Sequence, residues 1–157
     1  MLAQDLEFRL LGPLEVSTAA VPVGIGGPKE RALLAILLLH ANEVVSTDRL
    51  VEDLWRGSPP AAAENLVQTY VSHLRRALEP DGPRQPRLII TRRPGYVLTV
   101  EGERVDLQRA ERLARQGRRA LSEGRPGPAS RALGEALSLW RGPPLAEFAD
   151  ESAILAR

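Results

Sequence analysis

The segment NLVQTYVSHLRRAL, residues 65–78, decides how the whole chain is read. At 100° per residue, Val67, Val71, Leu74 and Leu78 fall within about 60° of one another, with Tyr70 and Ala77 at the border. Asn65, Thr69, Ser72 and Arg76 cluster on the opposite side, Gln68 and Arg75 flank them, and His73 borders the polar face. Solvent-facing helices normally mix Glu with Lys or Arg, yet this stretch contains no acidic residue. Amides and hydroxyls can bond base edges, and Arg can bind guanine or phosphate, so the face suits a nucleic acid. A solvated face that happens to lack acids is the alternative, and the neighbouring segments decide between them.

Upstream, STDRLVEDLW (46–55) reads as a second helix, with Ser46 or Thr47 as N-cap and Asp48 favouring the positive end of the dipole. It is expected to stop near Trp55, Arg56 and Gly57, with Ser58, Pro59 and Pro60 leading into a long helix over 61–79. Downstream, Asp81, Gly82 and Pro83 end that helix. Strand-like runs LIIT (88–91) and YVLTV (96–100) then flank Arg92, Arg93, Pro94 and Gly95. Pro-Gly at the centre of 93–96 predicts a type II turn, with glycine supplying a positive φ. Helix, helix, long helix and arginine-tipped hairpin is the winged helix-turn-helix order. In that setting the wing arginines can reach a minor groove or phosphate.

Before these elements, short runs at 8–11, 14–16 and 21–23 predict a small antiparallel sheet, and Pro28 opens a helix expected to end near Asn42. The glycine-rich run 24–27 with Pro28 and Lys29 invites a phosphate-loop reading. It lacks the Gly-x-x-x-x-Gly-Lys-Ser/Thr spacing and a surrounding βαβ unit, so a turn into a helix is the better reading. After Gly102 the character becomes helical. Asp106 is placed as the cap of a helix to about 122, with Leu107, Ala110, Leu113, Ala114, Gly117 and Leu121 on one face. A second helix over 129–140 is expected to turn Ala132, Leu133, Ala136, Leu137 and Trp140 inward. Such a hairpin resembles one unit of a helical repeat. Stacked repeats need about three units to stand alone, so this part leans on the first domain or is incomplete. The fold class is therefore α+β: a winged helix-turn-helix with an N-terminal antiparallel sheet and C-terminal hairpin wing (1–102), followed by an all-α, TPR-like segment (103–157).

Composition agrees. The 157 residues, 43% hydrophobic and 26% charged, are those of a globular chain with room for one domain and part of another. Without cysteine, disulfides, thiolate catalysis and Cys-ligated zinc are excluded. No signal peptide stands at Met1, and the apolar run 32–39 is too short for a bilayer, which predicts a cytoplasmic protein without membrane contact. The net charge of +1 conceals −4 over residues 1–64, +4 over 65–100 and +1 over 101–157. That asymmetry points to an anionic partner for the central stretch. Two isolated histidines with no acid or serine at recognisable spacing make no catalytic site, so no enzyme activity, metal or cofactor is expected.

The segments STDRLVEDLW, NLVQTYVSHLRRAL and RRPGYVL (92–98) resemble the winged-helix domain of OmpR/PhoB-type regulators. FRLLGPLEV (8–16) and PKERALLAILLLHAN (28–42) resemble more particularly the Streptomyces antibiotic regulatory protein (SARP) family. The second half, with LWRGPPLAEF (139–148), is similar to the start of that family's bacterial transcriptional activator domain. The resemblance implies a transcriptional activator that binds direct repeats in double-stranded promoter DNA, as a dimer or in tandem, and contacts RNA polymerase holoenzyme including its sigma factor. It implies base readout by Gln68, Thr69, Ser72 and His73, and phosphate contact by Asn65, Tyr70, Arg75 and Arg76. Arg92 and Arg93 correspond to the wing, and Arg56, Gly57, Ser58, Pro59 and Pro60 to a polymerase-facing loop. The family's activator domain continues through further helices beyond the length present here. The competing reading is a protein-interaction module with a structural winged helix and a helical TPR-like binding surface.

Overall fold

The architecture is α+β, as a computed structural model describes it for residues 5–82 and 86–149. Two three-stranded antiparallel sheets flank a bundle of three helices, and a helical hairpin follows. β1 (Leu6–Arg9) buries Leu6 and Phe8 in strict alternation and pairs with β2 (Glu15–Thr18), which pairs with β3 (Val21–Pro22). Ala19 and Ala20 both take positive φ, as a two-residue primed turn requires.

α1 (Pro28–Leu39) starts with proline at its first position and buries every side chain from Ala32 to Leu38, making it the central helix. It ends three residues before the expected Asn42. That residue adopts a φ of +68°, and its amide bonds both the carbonyl and the N–H of Val100, at 2.9 and 3.0 Å. α2 (Thr47–Trp55) is capped by the Ser46 hydroxyl, which accepts from the Arg49 N–H at 3.1 Å, and stops where Arg56 turns left-handed. α3 (Ala63–Leu78) buries Ala63, Val67, Val71, Leu74 and Leu78, the stripe read from its periodicity. Burying each such leucine or valine contributes about 1.5–3 kcal/mol, so this stripe fixes which face of α3 is left outside.

The wing is the hairpin β5 (Ile89–Arg92) and β6 (Gly95–Leu98), to which β4 (Val45–Ser46) adds a third strand against β6. Its turn differs from the expected type II. Arg92 pairs with Gly95, so the loop is Arg93-Pro94, one residue earlier, and the Arg93–Pro94 peptide is cis, as in type VI turns. Gly95 does not take a positive φ. Glycine is needed because a Cβ there would lie 1.9 Å from the Val45 carbonyl oxygen, where β4 crosses. Pro83, assigned to the end of α3, lies outside the described residues; the helix itself ends at Leu78.

In the second half α4 (Asp106–Ser122) and α5 (Pro126–Ser138) pack antiparallel through small residues, among them Ala110, Gly117, Ala120, Ala129, Ala132 and Ala136. A Cβ on Gly117 would meet the Leu133 side chain at 2.6 Å, so the helices approach closely along a narrow seam. Side chains beside that seam stay outside: Leu121, Leu137 and Trp140, expected inward, are 54%, 71% and 46% exposed. α5 also begins at Pro126, three residues early, because proline suits the first helical position. Asp106 caps no helix through its side chain. Instead its buried carboxylate accepts from the N–H groups of Leu10 and Leu11, at 2.7 and 3.1 Å. That is why β1 stops at Arg9 rather than continuing to residue 11.

The helical half does lean on the first. Val105 bridges to Phe8, the carbonyls of Leu10 and Leu11 accept from Leu145 and Arg141, and Leu145 and Phe148 sit in the main hydrophobic core. Glu147 accepts from the Leu14 N–H and receives a bidentate Arg31 from α1, at 2.7 and 2.9 Å. No helix among the described residues is long and apolar enough to cross a membrane.

Candidate nucleic-acid interface

Because one face of α3 is buried against α1 and α2, the other must point outward, and it carries Asn65, Gln68, Thr69, Ser72, His73 and Arg76 exposed together. The side chains of Asn65, Gln68, Ser72 and Arg76 have no partner among the described residues. Thr69 donates to the Asn65 carbonyl at 3.0 Å, one turn back, and keeps its oxygen available to accept. The surface thus offers amides, hydroxyls and one guanidinium, with no carboxylate from residues 65–78.

Arg92 and Arg93 stand exposed at the wing turn. The wing is anchored from two sides. Thr47, at the start of α2, donates through its N–H and hydroxyl to the Pro94 carbonyl, at 3.1 and 3.3 Å. Arg75, on the flank of α3, donates to the Ile89 carbonyl and the Thr91 hydroxyl, both at 2.9 Å, with its guanidinium 6.0 Å from the centre of the Tyr96 ring. Burial lowers the Arg75 pKa against its usual value, but the group stays charged. Arg75 therefore does not join the exposed residues; its geometry ties helix to hairpin.

Tyr70 is likewise half-buried rather than displayed. Its ring stacks on Trp55 at 6.4 Å between centroids, and Lys29 lies over the other partner of that stack, 5.6 Å from the Trp55 ring. Lys29 also donates to the Leu54 carbonyl near the C-terminus of α2. The loop Arg56, Gly57, Ser58, Pro59 and Pro60 is exposed throughout, on the α2–α3 side of the molecule.

His73 is engaged with another element of the fold. Its Nδ1 lies 3.0 Å from Oε1 of Glu30 in the first turn of α1. The His73 hydrogen bond, ahead of burial and backbone contributions, holds the Glu30 carboxyl below its ordinary value. Sequence reasoning missed Glu30, Lys29 and Thr47 as supports of this surface. Each acts on a residue 25 or more positions away, and no local pattern marks such a pairing.

Residues 25–98 match the family model described as transcriptional regulatory protein, C terminal, and residues 105–157 match the bacterial transcriptional activator domain. The chain is 40% identical over 147 residues to transcriptional regulatory protein MoaR1 of Mycobacterium tuberculosis, covering 93% of this chain and 47% of that protein. It is 41% identical over 148 residues to EmbR of the same organism (92% of this chain, 37% of the relative). To the regulatory protein DnrI of Streptomyces peucetius it is 33% identical over 148 residues (90% and 54%). The chain therefore spans about half, or less, of the length of these relatives. A solved structure of M. tuberculosis EmbR in complex with a low-affinity phosphopeptide superposes with a TM-score of 0.91 at 38% identity, over 97% of this chain and 40% of that one.

Proposed function

Since the chain belongs to the SARP family, in which an OmpR/PhoB-type DNA-binding domain precedes a bacterial transcriptional activator domain, we propose that it is a sequence-specific double-stranded DNA-binding activator of transcription. The family is one of regulators and not of enzymes. The observation that carries the proposal is the outer face of α3, which bears no acid over residues 65–78, together with the exposed Arg92 and Arg93. Gln68, Thr69, Ser72 and His73 read base edges in the major groove, and Asn65 and Arg76 hold the flanking phosphates. Tyr70 reaches a phosphate only through its hydroxyl edge, and Arg75 serves the phosphate contact indirectly, by holding the wing. Residues 1–102 form the DNA-binding unit and 103–157 the start of the activator unit. Protomers bind direct repeats in tandem, and the exposed loop 56–60 faces RNA polymerase and its sigma factor.

Gel shifts with promoter fragments across a salt series test the reading. With about four to six phosphates neutralised per protomer, the log–log slope is expected near −4 to −5. Arg76→Ala weakens binding to all sequences, while Gln68→Ala changes preference at one base position by about 1–3 kcal/mol. Salt-insensitive binding, or none to any duplex, would overturn it. The exposed Leu121, Leu137 and Trp140 favour a protein-binding role for the helical half; in the competing reading that role stands alone and duplex DNA is not bound.

A further inference from the structure

The glycine-rich turn ahead of α1 resembles a phosphate loop but is built around a carboxylate. Gly27 is the N-cap of α1 and Glu30 its third residue, the spacing at which a glutamate reaches back to the start of its own helix. The Gly27 and Glu30 backbone groups help to hold the carboxyl below its ordinary value, and its side chain is only 14% exposed. The two glycines fit this group closely. A Cβ on Gly26 would lie 3.1 Å from the Glu30 Cδ, and one on Gly27 would lie 3.1 Å from its Oε2. Its side-chain hydrogen bond lies outside the turn, to Nδ1 of His73 at 3.0 Å, 43 residues away on α3.

We infer that Glu30 is a positioning residue for His73, and through it a determinant of DNA sequence preference that lies outside the recognition helix. The inference rests on the proposed reading of α3. An ionised carboxylate only accepts, so the His73 nitrogen facing it must carry a proton. The partner of one ring nitrogen fixes the state of the other. In the uncharged ring Nδ1–H points at Glu30, and Nε2 faces outward as an acceptor. An outward acceptor on this face selects a base pair that presents an amine in the major groove, the N6 of adenine or the N4 of cytosine. Without Glu30 the ring is free to rotate, and the uncharged imidazole reverts to the Nε2–H form that it favours in water. A donor then stands where an acceptor stood.

The chain contains two histidines, so the tautomer of His73 is readable by nitrogen-15 NMR with one additional variant, His40→Gln, for assignment. Spectra at pH 8.5 are compared for the unaltered chain, Glu30→Met and Glu30→Gln. Methionine keeps the volume without an acceptor, and glutamine keeps a neutral one. The expected result is Nδ1–H in the unaltered chain and Glu30→Gln, and Nε2–H in Glu30→Met. The same proteins, with His73→Ala and the double variant, are then presented with a randomised duplex pool. Glu30→Met and His73→Ala are expected to lose preference at the same base pair by roughly 3- to 10-fold, the worth of one hydrogen bond. The double variant loses no more than either, and the salt slope stays unchanged. An Nε2–H ring in the unaltered chain overturns the inference. So does preference retained in Glu30→Met but lost in His73→Ala, or losses that add. If the unaltered chain shows no preference among duplexes, the reading of α3 fails instead. A shift with Gln68→Ala alone leaves that reading standing and removes only the role of Glu30.

Discussion

Arg75→Ala separates two ways in which an arginine on a recognition helix can serve DNA binding. The guanidinium makes two hydrogen bonds to β5 and lies against Tyr96. Hydrogen bonds from charged donors contribute about 1.5–3 kcal/mol each when well buried, and an exposed cation–π contact about 0.5–1 kcal/mol. Arg75 is half-buried and the Thr91 end of its network is exposed, so each hydrogen bond contributes only about 1 kcal/mol here. Truncation is expected to cost about 2–3 kcal/mol, or about 5–10 °C in Tm for a chain of this size. DNA affinity falls as well, because the wing is no longer held against α3. The salt dependence should not change. A lost phosphate contact removes about 0.9 from the log–log slope, whereas a wing that still reaches the duplex but is less firmly held leaves the slope near the unaltered value. Arg76→Ala, at an exposed side chain with no partner among the described residues, gives the opposite pattern: Tm unchanged and slope reduced by about 0.9. Calorimetry and fluorescence-anisotropy titrations from low to moderate salt measure both quantities. An Arg75→Ala protein that keeps its Tm and loses slope as Arg76→Ala does would refute the wing-holding role.

Asp106→Ala leaves the Leu10 and Leu11 N–H groups buried without acceptors and is expected to cost about 2–4 kcal/mol in urea unfolding; a loss below about 0.5 kcal/mol would show that the junction repairs itself. Gly95→Ala places a methyl group on the Val45 carbonyl, so the β4–β6 pairing must open, with a loss of at least about 3 kcal/mol visible as a lowered Tm. The Arg31 hydrogen bond holds the Glu147 carboxyl below the ordinary value of 4.5. Its stabilising contribution is thus complete above pH 4.5 and disappears as pH falls through the lowered value. Glu147→Gln should be less stable than the unaltered chain at pH 7, and the gap should close as the solution is acidified below pH 4.5. A gap independent of pH would contradict the assigned pair.

Much of the winged helix was legible because its determinants are local. The Ser46 cap lies three residues from the N–H that it accepts, and the apolar stripe of α3 repeats within four turns. The outward face of α3 followed from that stripe, and with it the set from Asn65 to Arg76. The turn at Arg93-Pro94 was misplaced because a Pro-Gly pair satisfies a type II turn equally well. Only the passage of β4 over Gly95, set by a strand about 50 residues upstream, distinguishes the two. The same reason hid the roles of Arg75 and Tyr70. A helical wheel gives the direction of a side chain but not what the tertiary fold places there. In the helical half, periodicity identified α4 and α5 but overestimated the width of their buried seam, because alanine and glycine let the axes approach too closely to cover Leu121 or Leu137.

The stitching of Leu10, Leu11 and Leu14 to Asp106, Arg141, Leu145 and Glu147 spans up to 133 residues of sequence. During synthesis the first strands leave the ribosome long before any of these partners exist. α1, α2, α3 and the wing close with contacts available by residue 98, whereas the edge of the N-terminal sheet waits unsealed until residue 147 emerges. At about 5–20 residues per second, that interval lasts about 2–10 seconds. A nascent chain in this interval carries a finished α3 and wing on an unfinished base. Recoding that slows translation between residues 100 and 145 therefore lengthens the exposure of Leu10 and Leu11 without changing a single amino acid.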